Sequence, residues 1–261
     1  MTDKMLAEKD PPIATMSFNN PARHNAVSSD MWERAAAIMT DFVDDPAVRV
    51  IVVTGAGGRA FAAGADISKF EDERANAEAE EIYHQRTTEA RGKLLNAPKP
   101  TIAKIRGYCI GGGVATSLTC DIRICSDNSR FAIPAAKLGI GYDYEGIRRL
   151  VDVVGPSFAK EIFYTARQFS AQEARDMGLV DQVVPEAELD DYVRDYALTI
   201  AANAPMSLES VKVNVAEIVK NPAERDLDLC ERLVDRANAS EDHVEGRTAF
   251  MEKRKPNFQG R

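Results

Sequence analysis

A run of β-branched residues, VRVIVVT from Val48 to Thr54, limits the possible folds more than any other stretch. It is almost wholly apolar, as is typical of a strand buried on both faces of a parallel sheet. Further strand candidates occupy residues 12–18, as a sheet edge, and 101–106, 121–125 and 129–133. Residues 30–43 have apolar residues at helical spacing, and 71–95 are compatible with a helix. The pattern predicts an α/β protein.

The strand signals end near residue 184, which predicts a core over residues 1–184. Just before that limit, Ser170 and Glu173 have the spacing of a capping box, and Gly178 is a plausible helix stop. From residue 185 to residue 261 the pattern is helical and is interrupted by prolines. We therefore expect a second, helical region there.

Composition excludes several partner classes. Lys and Arg number 33 against 41 Asp and Glu, so the net charge of −8 argues against binding nucleic acid or anionic membranes. No apolar run reaches the roughly 20 residues of a membrane span, and residues 1–10 have no apolar signal-peptide core. The four cysteines and three histidines lack zinc-site spacing. A cytoplasmic protein without a metal is expected.

Two glycine-rich loops are candidate anion sites. One is TGAGGRAFAAGAD, from Thr54 to Asp66, and the other is YCIGGGV, from Tyr108 to Val114, directly before a helix. Glycine lets a ligand approach the backbone, and a helix N-terminus stabilises negative charge. One N–H donor from each loop would form an oxyanion hole. The competing interpretation is a flexible loop and a helix start packed closely against the sheet.

The first loop has a further interpretation. Gly55, Gly57 and Ala60 fit the relaxed G-x-G-x-x-A fingerprint of dinucleotide-binding folds. Such a fold needs a helix at once and a second strand within about 30 residues. Gly64 would interrupt that helix, and the next strand signal comes only near residue 101. A nucleotide-dependent oxidoreductase is therefore a minor alternative.

A third loop, KLGIGYDYEG from Lys137 to Gly146, concentrates polar and acidic side chains between glycines. The cluster comprises Tyr142, Asp143, Tyr144 and Glu145. Such a group between two flexible points is a candidate acid/base site. A solvated turn is the competing interpretation.

Five segments in this order resemble the enoyl-CoA hydratase/isomerase family, also called the crotonase family. They are PARHNA (21–26), AFAAGADI (60–67), IRGYCIGGGVATSLTCD (105–121), GLVDQVVP (178–185) and GRTAFMEKRKPNF (246–258). The resemblance implies a crotonase-like ββα spiral core over 1–184 and a helical trimerisation region over 185–261. It also implies trimers or hexamers, and a coenzyme A thioester as substrate with no further cofactor.

The resemblance also implies site residues. The amides of Ala65 and Gly112 fall at the family's oxyanion-hole positions, where they would stabilise a thioester enolate. Coenzyme A contacts would come from Arg23 near the phosphates, from the Ala63 backbone near the adenine, and from Phe250 and Lys253, in the same or a neighbouring subunit.

Two positions depart from the pattern of the family's hydratases, which use two glutamates to place and activate water. Ala115 and Ala135 stand at those positions, and a methyl group cannot transfer a proton. Hydration by two glutamates is therefore not expected, and the fold alone does not assign the reaction.

The remaining candidates are Tyr142 and Asp143. Asp143 aligns with a functional aspartate of the family's dienoyl-CoA isomerases and 4-chlorobenzoyl-CoA dehalogenases. Tyr142 aligns with a tyrosine of methylmalonyl-CoA decarboxylase, whose partner histidine would stand at Ala65. We expect an acyl-CoA-processing enzyme with Asp143 as acid/base, Glu145 in reserve and Tyr142 as hydrogen-bond donor. Isomerisation, decarboxylation and atypical hydration stay open, and a non-catalytic acyl-CoA binder is the alternative.

Overall fold

The computed structural model describes residues 2–66 and 76–261, and within these ranges the strands form two sheets. The strands of the larger sheet are Met5–Asp10 (β1), Ile13–Phe18 (β2), Val50–Gly55 (β3), Thr101–Ile105 (β5), Ile122–Ser126 (β7) and Gln182–Val184 (β10). Those of the smaller sheet are Ala60–Ala62 (β4), Tyr108–Ile110 (β6), Arg130–Ala132 (β8) and Phe169–Ser170 (β9). The larger sheet has the order β1-β2-β3-β5-β7-β10 and the smaller one β4-β6-β8-β9.

Helices cover the sheets and make up the C-terminal region. They are Ser29–Asp44 (α1), Ala77–Leu95 (α2), Gly112–Ser117 (α3), Tyr144–Thr165 (α4), Ala171–Asp176 (α5), Leu189–Ala201 (α6), Pro205–Ile218 (α7), Leu227–Asn238 (α8) and Glu241–Glu252 (α9). None of the helices in the described ranges is long and apolar enough to cross a membrane.

A strand–strand–helix unit repeats along the core. In β3–β4–α2, β5–β6–α3 and β7–β8–α4, the first strand joins the larger sheet and the second joins the smaller one. Equivalent strands of successive units pair in parallel: β3 pairs with β5 and β5 with β7, and β4 pairs with β6 and β6 with β8. The units therefore stack side by side, as the predicted ββα spiral requires.

The position of β3 inside the larger sheet, covered on both faces, explains why its sequence is so uniformly apolar. Ile51 and Val53 face the cluster that contains α1, whereas Val50 and Val52 face the cluster that contains Leu189 of α6. Successive side chains of a strand point to opposite faces, so a strand covered on both faces needs apolar residues at every position. The predicted buried parallel strand is confirmed.

Other predictions need correction. Residues 12–18 were expected at a sheet edge, but β2 lies inside the larger sheet, antiparallel to β1 and parallel to β3. The sequence did not indicate β1 because its residues after Met5 are exposed and mostly polar. It did not indicate α4 either, since Gly155, with φ +75°, and Pro156 interrupt the helical pattern. Of the predicted helical segment 71–95, residues up to 75 lie outside the described residues.

Candidate active site

The strand order of the smaller sheet brings the three candidate loops together. Strands β4, β6 and β8 are parallel neighbours, with Ala60 opposite Tyr108 and Tyr108 opposite Arg130. Their carboxyl ends therefore lie at one edge of the sheet, which is where ligands bind in parallel α/β sheets. Residues 63–66 of the first glycine loop follow β4, residues 111–114 of the second follow β6, and the third loop comes after β8. The N–H of Gly111 donates to the carbonyl of Ala132 at 2.7 Å and links the second loop to the end of β8, the strand that precedes the third loop.

The two glycine loops are in contact. A Cβ atom built on Gly64 would lie 3.3 Å from the amide nitrogen of Gly112, and one built on Gly112 would lie 3.2 Å from the Cα atom of Gly64. Gly64 also has φ +89°, a conformation that residues with a side chain rarely adopt. Glycine is therefore needed at these positions because the backbones approach each other.

Two backbone amides at this contact are available as donors. Ala65 forms a parallel bridge with Val27, in which Val27 donates to the carbonyl of Gly64 at 2.8 Å and Asp66 donates to the carbonyl of Val27 at 3.1 Å. This pattern leaves the N–H of Ala65 outside the bridge. Gly112 is the first residue of α3, so its N–H has no acceptor within the helix. Within residues 2–66 and 76–261, neither amide donates a hydrogen bond to the protein.

Tyr142 is a half-buried side chain of the third loop. Its ring packs edge-on against Phe163, with 4.9 Å between the ring centroids. Burial raises the pKa of the Tyr142 phenol, although the positive charge of Arg91 acts in the opposite direction. The phenol therefore keeps its proton at neutral pH and can donate a hydrogen bond.

Asp143 is the N-cap of α4. Its Oδ1 atom accepts a hydrogen bond from the N–H of Gly146 at 2.7 Å, and the residue is exposed. Capping engages one carboxylate oxygen and leaves Oδ2 without a hydrogen bond to any described residue. Glu145, the reserve candidate, pairs instead with Arg148 at 3.1 Å on the surface of the helix.

Arg91 is a site residue that the sequence analysis missed. It is partly buried on α2, and its Nε donates to the Oγ1 atom of Thr116 at 3.2 Å. Its Nη2 donates to the carbonyl of Gly112 at 2.9 Å, and the guanidinium lies 5.0 Å from the ring centroid of Trp32. One arginine in a charged helical segment carries no local signal, because only the fold brings it to Gly112.

The residues expected to bind coenzyme A fall into two groups. Ala63 directly follows β4 and is partly exposed, and Arg23 is exposed at the end of a short turn. Pro21, which begins that turn, lies against Gly57 of the first glycine loop. Phe250 is 82% exposed on α9 and Lys253 is exposed at its end, so neither side chain packs against the glycine loops of its own chain.

The dinucleotide-binding alternative lacks its main structural element. The G-x-G-x-x-A segment leads from β3 into strand β4, and no helix begins there. A helix N-terminus facing a pyrophosphate is therefore not formed after Gly57. Of the two positions where the resemblance implies glutamate in hydratases, Ala115 is partly exposed on α3 and Ala135 is buried. The described residues contain no cluster of His, Cys, Asp and Glu that could hold a metal ion.

Comparison with known proteins identifies relatives over nearly the whole chain. Residues 8–261 match the model of the enoyl-CoA hydratase/isomerase family. A crotonyl-CoA hydratase of Syntrophomonas wolfei is 34% identical over 98% of both chains. A carnitinyl-CoA dehydratase of Escherichia coli K12 is 33% identical over the full length of both.

Solved structures agree with the sequence relatives. An enoyl-CoA hydratase/carnithine racemase from Magnetospirillum magneticum superimposes with a TM-score of 0.92 at 34% identity, covering 100% of this chain and 97% of that one. An enoyl-CoA hydratase from Bacillus anthracis gives a TM-score of 0.89 at 31% identity, covering 99% of this chain and 100% of that one. The crotonase-like fold predicted from the five segments is thus confirmed. The chain belongs to the enoyl-CoA hydratase/isomerase family, whose members process acyl-CoA substrates.

Proposed function

We propose that this protein stabilises a thioester enolate between the amides of Ala65 and Gly112. The observation that carries the proposal is the contact between Gly64 and Gly112, next to two amide groups with no acceptor among the described residues. Removal of an α-proton, addition to an α,β-double bond and loss of CO₂ each put negative charge on the thioester oxygen. Two preorganised donors stabilise that charge in the transition state, and one of them is typically worth about 3–4 kcal/mol.

Proton transfer is assigned to Asp143, with Tyr142 as a hydrogen-bond donor. The N-cap hydrogen bond holds the Asp143 carboxylate in one orientation while leaving Oδ2 open. The half-buried, protonated phenol of Tyr142 can donate to an enolate or a carboxylate without ionising. With alanine at 115 and 135, the proposed chemistry is an isomerisation, a decarboxylation or a hydration that uses a single carboxylate.

The test is turnover of a panel of enoyl-, dienoyl- and malonyl-type CoA thioesters, followed by the Asp143→Asn variant on whichever substrate reacts. Asparagine also serves as an N-cap, so the helix keeps its cap while the site loses its base. We expect kcat to fall about 10²- to 10⁴-fold with an unchanged melting temperature. Full activity of Asp143→Asn would remove Asp143 from the mechanism, and no turnover with measurable CoA binding would favour the non-catalytic alternative.

Assembly into a homo-oligomer through residues 185–261 is part of the same proposal. Helix α7 carries Val211, Val215 and Ile218, each more than half exposed, on one face. A contiguous exposed apolar face is typical of a protein–protein contact. Such an assembly would let Phe250 and Lys253 reach the glycine loops of a neighbouring subunit. Sedimentation equilibrium measures the assembly state, and a monomer in solution would contradict the proposed homo-oligomer.

A further inference from the structure

The guanidinium of Arg91 is a charge that the described part of the protein leaves without an anion. Thr116 Oγ1 and the carbonyl of Gly112 accept from Nε and Nη2, and both acceptors are neutral. Within residues 2–66 and 76–261, no carboxylate lies at ion-pair distance from Arg91, and no hydrogen bond involves its Nη1. Burial lowers the pKa of Arg91, but an arginine keeps its charge in proteins.

A partly buried cation without a counter-ion is costly, because it has lost water without gaining a partner of opposite charge. The residues around the guanidinium of Arg91 do not supply a counter-ion at ion-pair distance. Trp32 presents its ring to the guanidinium, and Arg149 adds a second positive charge nearby. Asp143 attracts Arg91 electrostatically from beyond ion-pair distance. The position is therefore suited to an anion that is not part of the described chain.

The location of Arg91 restricts what that anion can be. Its Nη2 atom would lie 3.2 Å from a Cβ atom built on Gly112, so the guanidinium borders the contact between the glycine loops. The thioester oxygen already has the amides of Ala65 and Gly112 in the proposed mechanism. The phosphates of coenzyme A are separated from the thioester by the whole pantetheine arm. What remains near Arg91 is the acyl group.

We propose that Arg91 binds a carboxylate carried by the acyl group, so that the substrates are CoA thioesters of dicarboxylic acids. This inference rests on the proposed function, since it presupposes an acyl group beside Gly112. A guanidinium suits this task because its N–H groups match the geometry of a carboxylate. Thr116 and Gly112 hold Nε and Nη2 in place, which leaves the N–H groups of Nη1 and the second N–H of Nη2 to meet the ligand.

The experiment compares two saturated ligands, glutaryl-CoA and pentanoyl-CoA, by isothermal titration calorimetry. They differ at the end of the acyl chain, where one has a carboxylate and the other a methyl group, and neither has a double bond to hydrate or shift. We expect the wild type to bind glutaryl-CoA about tenfold to a hundredfold more tightly, as for one hydrogen bond between charged groups. Arg91→Met is expected to abolish this preference.

Arg86→Met is the matched control, because Arg86 lies on the same helix and pairs with Glu33 outside the site. It is expected to keep the wild-type preference for glutaryl-CoA. Equal binding of both ligands by the wild type, or a preference retained in Arg91→Met, would overturn the inference while leaving the proposed function intact. If the wild type binds neither ligand at millimolar concentration, both proposals fail. Equal binding of the two ligands by the wild type would overturn the inference even if Arg91→Met does not fold.

Discussion

At the scale of single residues, Tyr142 has separable roles in packing and in hydrogen bonding. Tyr142→Phe keeps the ring against Phe163 and removes only the hydroxyl. We expect kcat to fall about tenfold to a hundredfold, the value of one hydrogen bond to a charged group. The free energy of unfolding should change by less than about 0.5 kcal/mol. Steady-state kinetics measures the change in kcat, and urea unfolding measures the change in stability. An unchanged kcat would exclude Tyr142 as a hydrogen-bond donor to the substrate.

Gly113 is a residue at which the fold has no room for a side chain. A Cβ atom there would lie 2.1 Å from the backbone carbonyl oxygen of Ala62, so α3 would have to move away from β4. Gly113→Ala is expected to lower the free energy of unfolding by about 1–3 kcal/mol. The matched control is Gly92→Ala in α2, where a Cβ atom would meet nothing within 4 Å.

The control should raise the free energy of unfolding by about 0.5–1 kcal/mol, because alanine has the higher helix propensity. Urea unfolding curves of both variants measure the contrast. Equal stability of Gly113→Ala and the wild type would show that α3 does not need its close approach to β4.

At the scale of elements, the capping box predicted from Ser170 and Glu173 is confirmed at the start of α5. The Ser170 hydroxyl accepts from the N–H of Glu173 at 3.2 Å, and the Glu173 carboxylate accepts from the N–H of Ser170 at 2.8 Å. Ser170→Ala removes the first of these hydrogen bonds and should cost about 1 kcal/mol. Gln172→Ala, on the exposed face of the same helix, should cost less than about 0.5 kcal/mol. Thermal unfolding of both variants tests the difference, and equal losses would contradict it.

Elements with a continuous local pattern were predictable, and interrupted ones were not. The apolar run of β3 and the amphipathic spacing of α1 appear in the sequence and in the structure. Helix α4 was missed because Gly155 and Pro156 break its pattern at a kink. The same omission hid the role of Asp143 as a cap, since a cap is recognisable only once its helix is known.

At the scale of the whole molecule, the carboxylates of Glu173 and Glu245 make the stability of the fold depend on pH. Hydrogen bonds from Ser170 and Arg167 lower the pKa of Glu173 to about 2, and those from Arg254 and Asn257 lower the pKa of Glu245 to about 2. The pKa of each group is lower in the folded state than the ordinary glutamate value of 4.5. Their stabilising contribution is therefore complete above that value and is lost as the pH falls towards 2.

We expect the melting temperature to fall as the pH is lowered from 5 to about 2, at constant ionic strength. Glu245→Gln should flatten this dependence because it removes one of the carboxylates whose pKa is lowered in the folded state. Glu231→Gln, at an exposed position of α8, should leave it unchanged. Differential scanning calorimetry across this range measures all three proteins, and a flat wild-type profile would contradict the expectation.

The sequence by itself determined the α/β core, the two glycine loops and the family. These properties depend on local patterns, namely β-branched runs, glycine positions and motifs in a fixed order. Tertiary structure alone decided which loops meet, because that depends on the order β4-β6-β8 in the smaller sheet. It also brought Arg91 to Gly112, 21 residues further along the chain. Local sequence governs backbone conformation and burial, whereas contact between distant segments follows from strand order and register, which no short pattern encodes.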